Sequence, residues 1–168
     1  MRKKILLIYT GGTIGMNKSE NGYVPQKGFL QEILEGLPVL RNEAMPEWEL
    51  IELDPLLDSS NMTVVEWNLI GSLVEKYYMD FDGFVILHGT DTMAYTASAL
   101  SFSLENLDKP VIITGSQIPL FEVRNDGLDN LLTSMMIAAE GHVREVALCF
   151  SDMLLRGNRA TKMSTSDL

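Results

Sequence analysis

The sequence has few metal-binding side chains, with one cysteine, Cys149, and two histidines among 168 residues. One cysteine cannot form an internal disulfide, and its place in the apolar run Val146–Phe150 predicts a buried structural thiol. One cysteine and two histidines are also too few for a structural zinc site. The composition therefore predicts neither a disulfide framework nor a zinc-stabilised fold.

Positive charge is also scarce, because 13 lysines and arginines stand against 23 aspartates and glutamates, for a net charge of −10. A nucleic-acid partner needs a clustered basic surface, and an anionic membrane attracts basic segments. The apolar run Ile5–Tyr9 is too short for a signal peptide or a membrane span, and no small-residue cleavage site follows it. We therefore expect a cytoplasmic protein with a small-molecule or protein partner, and neither a nucleic-acid nor a membrane partner.

The residues that are present are those of a folded chain. Hydrophobic residues make up 46% and charged residues 21%, close to the average soluble domain, which disfavours disorder. The length suits one domain or two very small ones, and neither a repeat nor a low-complexity linker divides the chain.

Short apolar runs alternate with longer helical patterns along the chain. The runs predict five strands, at Ile5–Tyr9, Trp48–Leu53, Phe84–Leu87, Val111–Thr114 and Val146–Phe150. The helical patterns cover Gly28–Leu34, a stretch from the N-cap Thr63 to about Met79 with Glu66 at the capping-box position, Thr92–Leu104, and Leu128–Glu140. This alternation predicts an α/β fold, flavodoxin-like or Rossmann-like, whose largely parallel sheet carries helices on both faces.

Polar loops follow four of the predicted strands. They are Thr10-Gly11-Gly12-Thr13-Ile14-Gly15, Asp58-Ser59-Ser60-Asn61, His88-Gly89-Thr90-Asp91-Thr92 and Gly115-Ser116-Gln117. Ligands of such sheets bind beyond the carboxyl ends of the strands. We therefore expect these loops to converge on one site.

The first of these loops allows two interpretations. Its adjacent glycines suit a tight turn, but they also let a hydroxyl such as that of Thr13 approach a ligand as a nucleophile. The loop lacks the Gly-Lys-Ser/Thr ending of a phosphate loop and the GxGxxG spacing of a dinucleotide site. A nucleotide-binding domain is therefore disfavoured.

A hydroxyl nucleophile needs a base, and the sequence offers two candidates. His88 has a suitable residue type, yet it directly ends an apolar strand, so a packed and hydrogen-bonded histidine is an equal alternative. Lys162 is charged at neutral pH when free, and a nearby Asp91 would favour that charged form. It could accept a proton only if desolvated, and otherwise it is a surface lysine. Asp91 or Thr92 could equally cap the following helix.

The remaining polar segments also have plain structural interpretations. Asp58, Ser59 and Ser60 could bind a charged ligand or could simply form a loop. Gly22-Tyr23, preceded by a polar stretch, could belong to a mobile flap or to an ordinary hairpin turn.

Two of these motifs together resemble a known family. Thr10-Gly-Gly-Thr-Ile-Gly and Gly83-Phe-Val-Ile-Leu-His-Gly-Thr-Asp-Thr-Met93 resemble the two signature motifs of bacterial-type L-asparaginases, most closely the cytoplasmic type I branch. The resemblance extends through Gly22-Tyr23, Asp58-Ser-Ser, Thr114-Gly-Ser-Gln and Arg156-Gly-Asn-Arg-Ala-Thr-Lys162. Two motifs in matching order and separation make a specific signal, and the resemblance covers essentially residues 1–168.

The resemblance implies hydrolysis of L-asparagine to L-aspartate and ammonia through a covalent acyl-enzyme, without metal or cofactor. By position, Thr13 matches the nucleophile, and Tyr23 matches the tyrosine of a mobile loop that closes over the site. The second catalytic group, which transfers protons and holds the substrate, is matched by Thr90, Asp91 and Lys162. Asp58, Ser59 and Ser60 match the segment that grips the α-amino and α-carboxylate groups, and Ser116 matches a backbone contact to the side-chain amide. His88 belongs to the motif but is not catalytic in the family.

Family members resembled by this sequence are two-domain chains roughly twice as long. The resemblance therefore implies an N-terminal catalytic domain, residues 1–168, without the C-terminal domain of a partner protomer that completes the site in a homo-oligomer, a dimer or tetramer. We expect this chain alone to be weak or inactive. Two alternatives remain, a non-catalytic domain that binds or senses asparagine or aspartate, and an ammonia-releasing amidotransferase subunit. The latter carries an extra N-terminal module, whereas here Ile5 already starts the first strand.

Overall fold

A mostly parallel sheet organises the computed structural model, which describes residues 2–20 and 22–163. The strands are β1 Lys4–Gly11, β2 Met16–Ser19, β3 Gly22–Pro25, β4 Glu47–Leu57, β5 Gly83–Leu87, β6 Val111–Thr114, β7 Val146–Phe150 and β8 Met153–Arg156. The α-helices are α1 Phe29–Gly36, α2 Val64–Lys76, α3 Met93–Ser103 and α4 Gly127–Glu140. Short 3-10 turns span Thr13–Gly15, Pro38–Arg41, Ser59–Asn61 and Gly157–Arg159.

The strand order confirms the predicted fold class. Six strands form one sheet in the order β4-β1-β5-β6-β7-β8, and β2 pairs with β3 in a separate hairpin. Strands β4 to β7 of this order run parallel, and β8 pairs antiparallel with β7. Counted in chain order, the five parallel strands follow the flavodoxin-like order, which has its topological switch point between β1 and β5.

Helices cover both faces of the sheet because successive strand residues point to opposite faces. In β1, Ile5, Leu7 and Tyr9 pack in one buried cluster with residues of α1 and α4. Leu6 and Ile8 pack in a second cluster with residues of α2 and α3. All five side chains are fully buried, which explains why β1 is continuously apolar in sequence.

Helix α2 begins as predicted and ends earlier than predicted. The Thr63 hydroxyl accepts a hydrogen bond from Val65 N at 3.2 Å, and the Glu66 carboxylate accepts one from Thr63 N at 2.8 Å. The helix ends at Lys76 instead of near Met79. The next residues turn away, and Tyr78 stacks on Phe84 with ring centroids 6.0 Å apart. Here the backbone hydrogen bonds change from the helical spacing, Tyr77 N to Leu73 O, to the shorter spacing of a turn, Tyr78 N to Glu75 O, so the predicted end was wrong.

The hairpin and the last strand depart from the sequence-based expectation. Gly22 and Tyr23 lie within β3, opposite Ser19 and Lys18 of β2, and not in the turn itself. Every residue of β3 is exposed, so the hairpin lacks the apolar alternation that predicts strands. Strand β8 is likewise exposed along its length and was not predicted. Among residues 2–20 and 22–163, no helix reaches the length and apolarity that a membrane crossing would need.

The single cysteine behaves as the composition predicted. Cys149 lies on β7 with 2% of its surface exposed and carries a free thiol. Burial raises the pKa of this thiol above its usual value, so the thiolate is disfavoured. Cys149 is therefore a packing residue.

Candidate active site

The loops that follow β1, β4 and β5 pack directly on one another at the carboxyl edge of the sheet. A Cβ atom on Gly12 would lie 2.5 Å from Gly89 Cα, and one on Gly89 would lie 2.5 Å from Ser59 Oγ. The Thr92 hydroxyl donates to Ser59 O at 2.7 Å. Because no side chain fits between these backbones, the loops converge as expected, and they do so at the switch point.

Thr13 starts the turn that follows β1 and is half-buried. Gly12 before it has φ 91° and ψ 171°, a region that is essentially restricted to glycine. The buried Tyr9 hydroxyl donates to Gly12 O at 3.0 Å and so holds this turn from the interior of the protein. Within the described residues no hydrogen bond engages the Thr13 hydroxyl, so it is free to meet a ligand.

Lys162 joins the two side chains with which it was predicted to act. Its Nζ donates to Asp91 Oδ1 at 2.8 Å and to Thr90 Oγ1 at 3.2 Å. The Thr90 hydroxyl in turn donates to Gln117 Oε1 at 3.2 Å. The Lys162 side chain is 24% exposed and that of Asp91 is 63% exposed, so the ion pair lies at the mouth of the site. Lys162 is therefore not simply a surface lysine, because its side-chain nitrogen is bound by Thr90 and Asp91 on the loop after β5.

The helix-capping alternative for Asp91 and Thr92 is wrong as far as their side chains are concerned. Thr92 occupies the N-cap position of α3, but no side chain caps this helix. The Thr92 hydroxyl bonds Ser59 O, and Asp91 pairs with Lys162. Both side chains thus tie the loop to its neighbours and leave the first N–H groups of α3 to other acceptors.

His88 is packed and does not face the site. It is fully buried, with Nδ1 2.8 Å from Gly89 O and Nε2 2.8 Å from Thr96 Oγ1. Burial lowers the pKa of His88 below its usual value, and the bond to Gly89 offsets only part of this effect. Between the two interpretations offered by the sequence, the structure supports the hydrogen-bonded core histidine.

The predicted substrate-binding segment presents two accessible side chains and one buried side chain. Asp58 is exposed, and its Oδ1 accepts from Ser60 N at 2.9 Å, which fixes the turn Ser59–Asn61. Ser60 is exposed, whereas Ser59 is 4% exposed beneath Gly89. Asp58 and Ser60 are therefore the members of this segment that can meet a ligand with their side chains.

Ser116 is fully buried, and its hydroxyl donates to Ile118 O at 2.6 Å. The loop around it is held by Asp126, whose carboxylate accepts from Gln117 N and Ile118 N, each at 2.9 Å. With its hydroxyl engaged, Ser116 can offer a ligand only its backbone. Sequence reasoning missed the role of Asp126, because an aspartate directly before α4 is more readily interpreted as a helix cap.

Tyr23 reaches toward the loop after β6 and not toward another predicted site residue. Its hydroxyl donates to Glu122 Oε1 at 2.9 Å, and its ring contacts Phe121 edge-on with centroids 6.1 Å apart. The hydrogen bond to Glu122 raises the pKa of Tyr23. Tyr23 is 46% exposed, and no described contact joins it to Thr13.

A cleft of about 260 Å³ opens beside the lysine. Its polar wall includes Thr90, Gln117 and Lys162, and its other wall is apolar, with Met93, Leu148, Phe150, Met153 and Leu155 among its residues. In the described part of the chain, no group of three or more histidine, cysteine, aspartate or glutamate side chains is arranged to hold a metal ion. The groups available for chemistry here are hydroxyls, carboxylates and one ammonium.

Together these features define an α/β domain of the flavodoxin-like order with a hydroxyl-rich candidate catalytic site at its switch point. The family model described as "Asparaginase, N-terminal" matches residues 4–168. The chain is 56% identical over 161 residues to "L-asparaginase 1" of Escherichia coli strain K12, which covers 96% of this chain and 48% of that protein. The chain belongs to the asparaginase family.

Two further comparisons extend this result. The crystal structure of L-asparaginase I from Vibrio cholerae superposes with a TM-score of 0.93 at 52% identity, over 98% of this chain and 49% of that one. A glutamyl-tRNA(Gln) amidotransferase protein of Saccharolobus solfataricus is 37% identical over 98% of this chain and 38% of its own length. The chain thus spans about half the length of the asparaginases it matches.

Proposed function

We propose that this chain carries the nucleophile-bearing part of an L-asparagine amidohydrolase site, which converts L-asparagine and water to L-aspartate and ammonia. The observation that carries the proposal is the bridge from Lys162 Nζ to Thr90 Oγ1 and Asp91 Oδ1. This bridge lies on the loop whose Gly89 packs against Gly12, the residue before Thr13. A hydroxyl and a proton-handling group on adjoining loops are what acyl transfer requires.

The proposed reaction has two halves. In the first, Thr13 Oγ attacks the side-chain amide carbon, its proton passes through the Thr90–Lys162 group to the leaving nitrogen, and ammonia departs from an acyl-enzyme. In the second, water attacks the ester carbon, one proton of that water passes to Thr13 Oγ, and L-aspartate leaves. Lys162 accepts the proton in each half as the neutral amine, and Asp91 stabilises the ammonium until the proton is delivered. No metal or cofactor enters the scheme.

Substrate recognition falls to the segment after β4 and the loops after β5 and β6. Asp58 is exposed and complements the α-ammonium group, while Ser59 and Ser60 contribute to the grip on the α-carboxylate. Thr90 and Asp91 complete the contacts to the substrate, and the Ser116 backbone faces the side-chain amide. L-Aspartate, as product, would occupy the same contacts.

Tyr23 is proposed as the movable member of the site. Its position on an exposed hairpin supports a role in closing over bound substrate and orienting Thr13. To do so, its hydroxyl must leave Glu122. The cost of leaving is small, because the contact lies at the solvent-exposed surface.

The whole protein's assembly and location are part of the same proposal. Relatives such as the Escherichia coli enzyme are about twice as long as the matched region, which supports a site completed by a second domain in a homo-oligomer. The proposed location is the cytoplasm. We expect turnover by this chain alone to fall well below that of a full-length relative.

The deciding experiment measures ammonia release from L-asparagine by the whole protein, in its unmodified form and as the Thr13→Ala and Thr13→Ser variants. Thr13→Ala should release no ammonia and form no acyl-enzyme detectable by mass spectrometry, while Thr13→Ser should retain part of both. Thr133→Ala is the matched control, because Thr133 is also a half-buried threonine but lies on α4. This variant should behave as the unmodified protein. Ammonia release that survives Thr13→Ala would exclude the nucleophile assignment.

A second candidate, an ammonia-releasing amidotransferase subunit, is favoured by the 37% identity to the Saccharolobus protein. It uses the same ammonia-releasing site, so the two functions differ in what consumes the ammonia. Release of ammonia into bulk solvent at a rate that does not increase when a tRNA or partner protein is added supports the hydrolase. Binding of asparagine or aspartate without any release would indicate a sensing domain.

A further inference from the structure

A chain of three hydrogen bonds, two of them buried and one part-buried, lies behind the loop that carries Thr90 and Asp91. The Trp67 indole N–H donates to Thr96 Oγ1 at 2.9 Å, and Thr96 Oγ1 lies 2.8 Å from His88 Nε2. On its other side, His88 Nδ1 lies 2.8 Å from Gly89 O. The chain therefore connects α2 and α3 to the first backbone carbonyl beyond His88.

The two ends of this hydrogen-bond chain determine which atom donates and which accepts in each of its bonds. A carbonyl oxygen can only accept, so His88 Nδ1 must carry a hydrogen and donate it to Gly89 O. Nε2 of the neutral ring is then an acceptor, and the Thr96 hydroxyl donates to it. Trp67 can only donate, and it supplies the remaining bond to Thr96 Oγ1. All polar atoms of the chain are satisfied by one histidine tautomer.

The carbonyl at the end of this hydrogen-bond chain belongs to the Gly89–Thr90 peptide, which starts at the Gly89 Cα atom on which two site loops converge. Because the peptide unit is planar, fixing Gly89 O also fixes the opposite direction of the Thr90 N–H and the starting point of the Thr90 side chain. On the same residue, the Cα of Gly89 lies against Gly12 and Ser59 with no room for a methyl group. A rotation of this one peptide would therefore move Thr90 relative to Thr13.

We propose that His88 is a positioning residue for the hydrolysis proposed above, on which this inference rests. Its Nδ1–H holds the Gly89–Thr90 peptide in the orientation that aims Thr90 at the site. Thr96 and Trp67 act one step further back by selecting the tautomer that can donate. An apolar side chain could fill the same volume without desolvating an imidazole, so packing alone does not account for a histidine at this position.

Two substitutions separate the two ends of the imidazole. In His88→Asn the side-chain amide nitrogen falls near the place of Nδ1 and can still donate to Gly89 O. In His88→Gln the amide lies near the place of Nε2 and reaches Thr96 instead. We expect kcat to fall about tenfold or more in His88→Gln and about threefold or less in His88→Asn, with KM for asparagine nearly unchanged in both.

Thr96→Val tests the next bond of the hydrogen-bond chain, and Thr114→Val is its matched control. Both threonines are fully buried, but Thr96 Oγ1 lies in the chain, whereas Thr114 Oγ1 has no hydrogen-bond partner among the described residues. Thr96→Val should lower kcat, and Thr114→Val should leave it unchanged. A role of Thr96 in packing alone predicts equal behaviour of the two variants, because each exchange preserves shape.

A spectroscopic readout tests the inference even if the protein releases no ammonia. In 15N-labelled protein the His88 ring should show a single tautomer with the proton on Nδ1, and Thr96→Val or Trp67→Phe should introduce the other tautomer. A proton on Nε2 in the unmodified protein would overturn the proposal, and so would equal kcat values in His88→Asn and His88→Gln at matched thermal stability. Absence of ammonia release from the whole, unmodified protein, with the Nδ1 tautomer present, would count against the proposed function alone.

Discussion

The loop after β5 and the hairpin β2–β3 both carry residues of the candidate site, but they are built in opposite ways. In the loop, His88 is fully buried, and Gly89 lies tightly against Gly12 and Ser59. In the hairpin, every residue of β3 is exposed, and Tyr23 is held at the surface by a hydrogen bond to Glu122 and an edge-on ring contact with Phe121. The first region is fixed by its interior, and the second is held only at its surface.

This difference separates two tasks that catalysis imposes on a site. Reacting groups must be held within a narrow range of positions, which favours a rigid, buried support. Substrate must also enter and leave, which requires a segment that moves at little cost. In this chain the buried support behind Thr90 and Asp91 is suited to the first task, and the hairpin is suited to the second. Substitutions of equal size should therefore have unequal effects in the two regions.

The largest contrast is expected between Gly12→Ala and Gly22→Ala. Both glycines have positive φ, but a Cβ on Gly12 would lie 2.5 Å from Gly89 atoms, whereas one on Gly22 would meet nothing within 4 Å. Backbone strain and overpacking together should cost Gly12→Ala about 2 to 6 kcal/mol, and strain alone should cost Gly22→Ala about 1 to 3 kcal/mol. Urea unfolding measures both. Equal losses would mean that the hairpin is as tightly constrained as the buried loops.

Lys162→Met should have the next largest effect, on turnover and not on folding. It removes the donor to Thr90 and Asp91, so proton transfer should slow by about 100- to 10,000-fold. Lys3→Met is the control, since Lys3 also pairs with an aspartate, Asp82 at 2.9 Å, but far along the sheet from the site. The measurement is steady-state ammonia release by the two variants. Similar rates would show that Lys162 has no part in the proposed proton transfer.

The buried loop should also make the protein less stable in mild acid. The pKa of His88 is lowered from its usual value near 6.5 in the folded state, so the unfolded chain binds a proton first as the pH falls. Stability should therefore be constant above about pH 7 and decrease below about pH 6.5, by up to about 1.4 kcal/mol per pH unit, until the folded-state pKa is reached.

His88→Asn tests this pH dependence, because asparagine does not titrate. Urea unfolding of the unmodified protein and of His88→Asn should give curves whose difference narrows as the pH falls from about 7.5 to about 5. The second histidine, His142, and the carboxylates are present in both proteins and cancel in the difference. A difference that does not change with pH would show that His88 titrates normally in the folded protein.

The two regions also differ in how far the sequence predicts them. The loop after β5 follows a continuous apolar strand, so both its position and its polar residues could be inferred from hydrophobic runs. The hairpin is exposed and polar, and its strands left no periodic signal. Strand order likewise depends on tertiary packing and could be anticipated only through the fold class.

The contacts that make the site work were the least predictable part. Tyr23 bonds Glu122 across 99 residues, and Trp67 bonds Thr96 across 29, so no local pattern marks either pair. Gln117 was visible in a polar loop, but its bond to Thr90 arises only when β5 and β6 lie side by side. Motif spacing indicated the residues that we propose to bear chemistry, whereas the residues that hold them follow from the packed structure.

The smallest effect is expected for Glu122→Gln, which tests whether the hairpin is held only weakly. Loss of the charge should weaken the bond that holds Tyr23 away from Thr13, so kcat/KM should rise by about twofold as closure becomes easier. Because the Glu122 carboxylate raises the pKa of Tyr23, that pKa should also fall toward its usual value, measurable by ultraviolet titration against Tyr23→Phe. Val123→Gln, at a fully exposed neighbour, is the control and should change neither quantity. If Glu122→Gln instead slowed turnover as strongly as Lys162→Met, Tyr23 would act from its present position, and the hairpin would belong with the fixed part of the site.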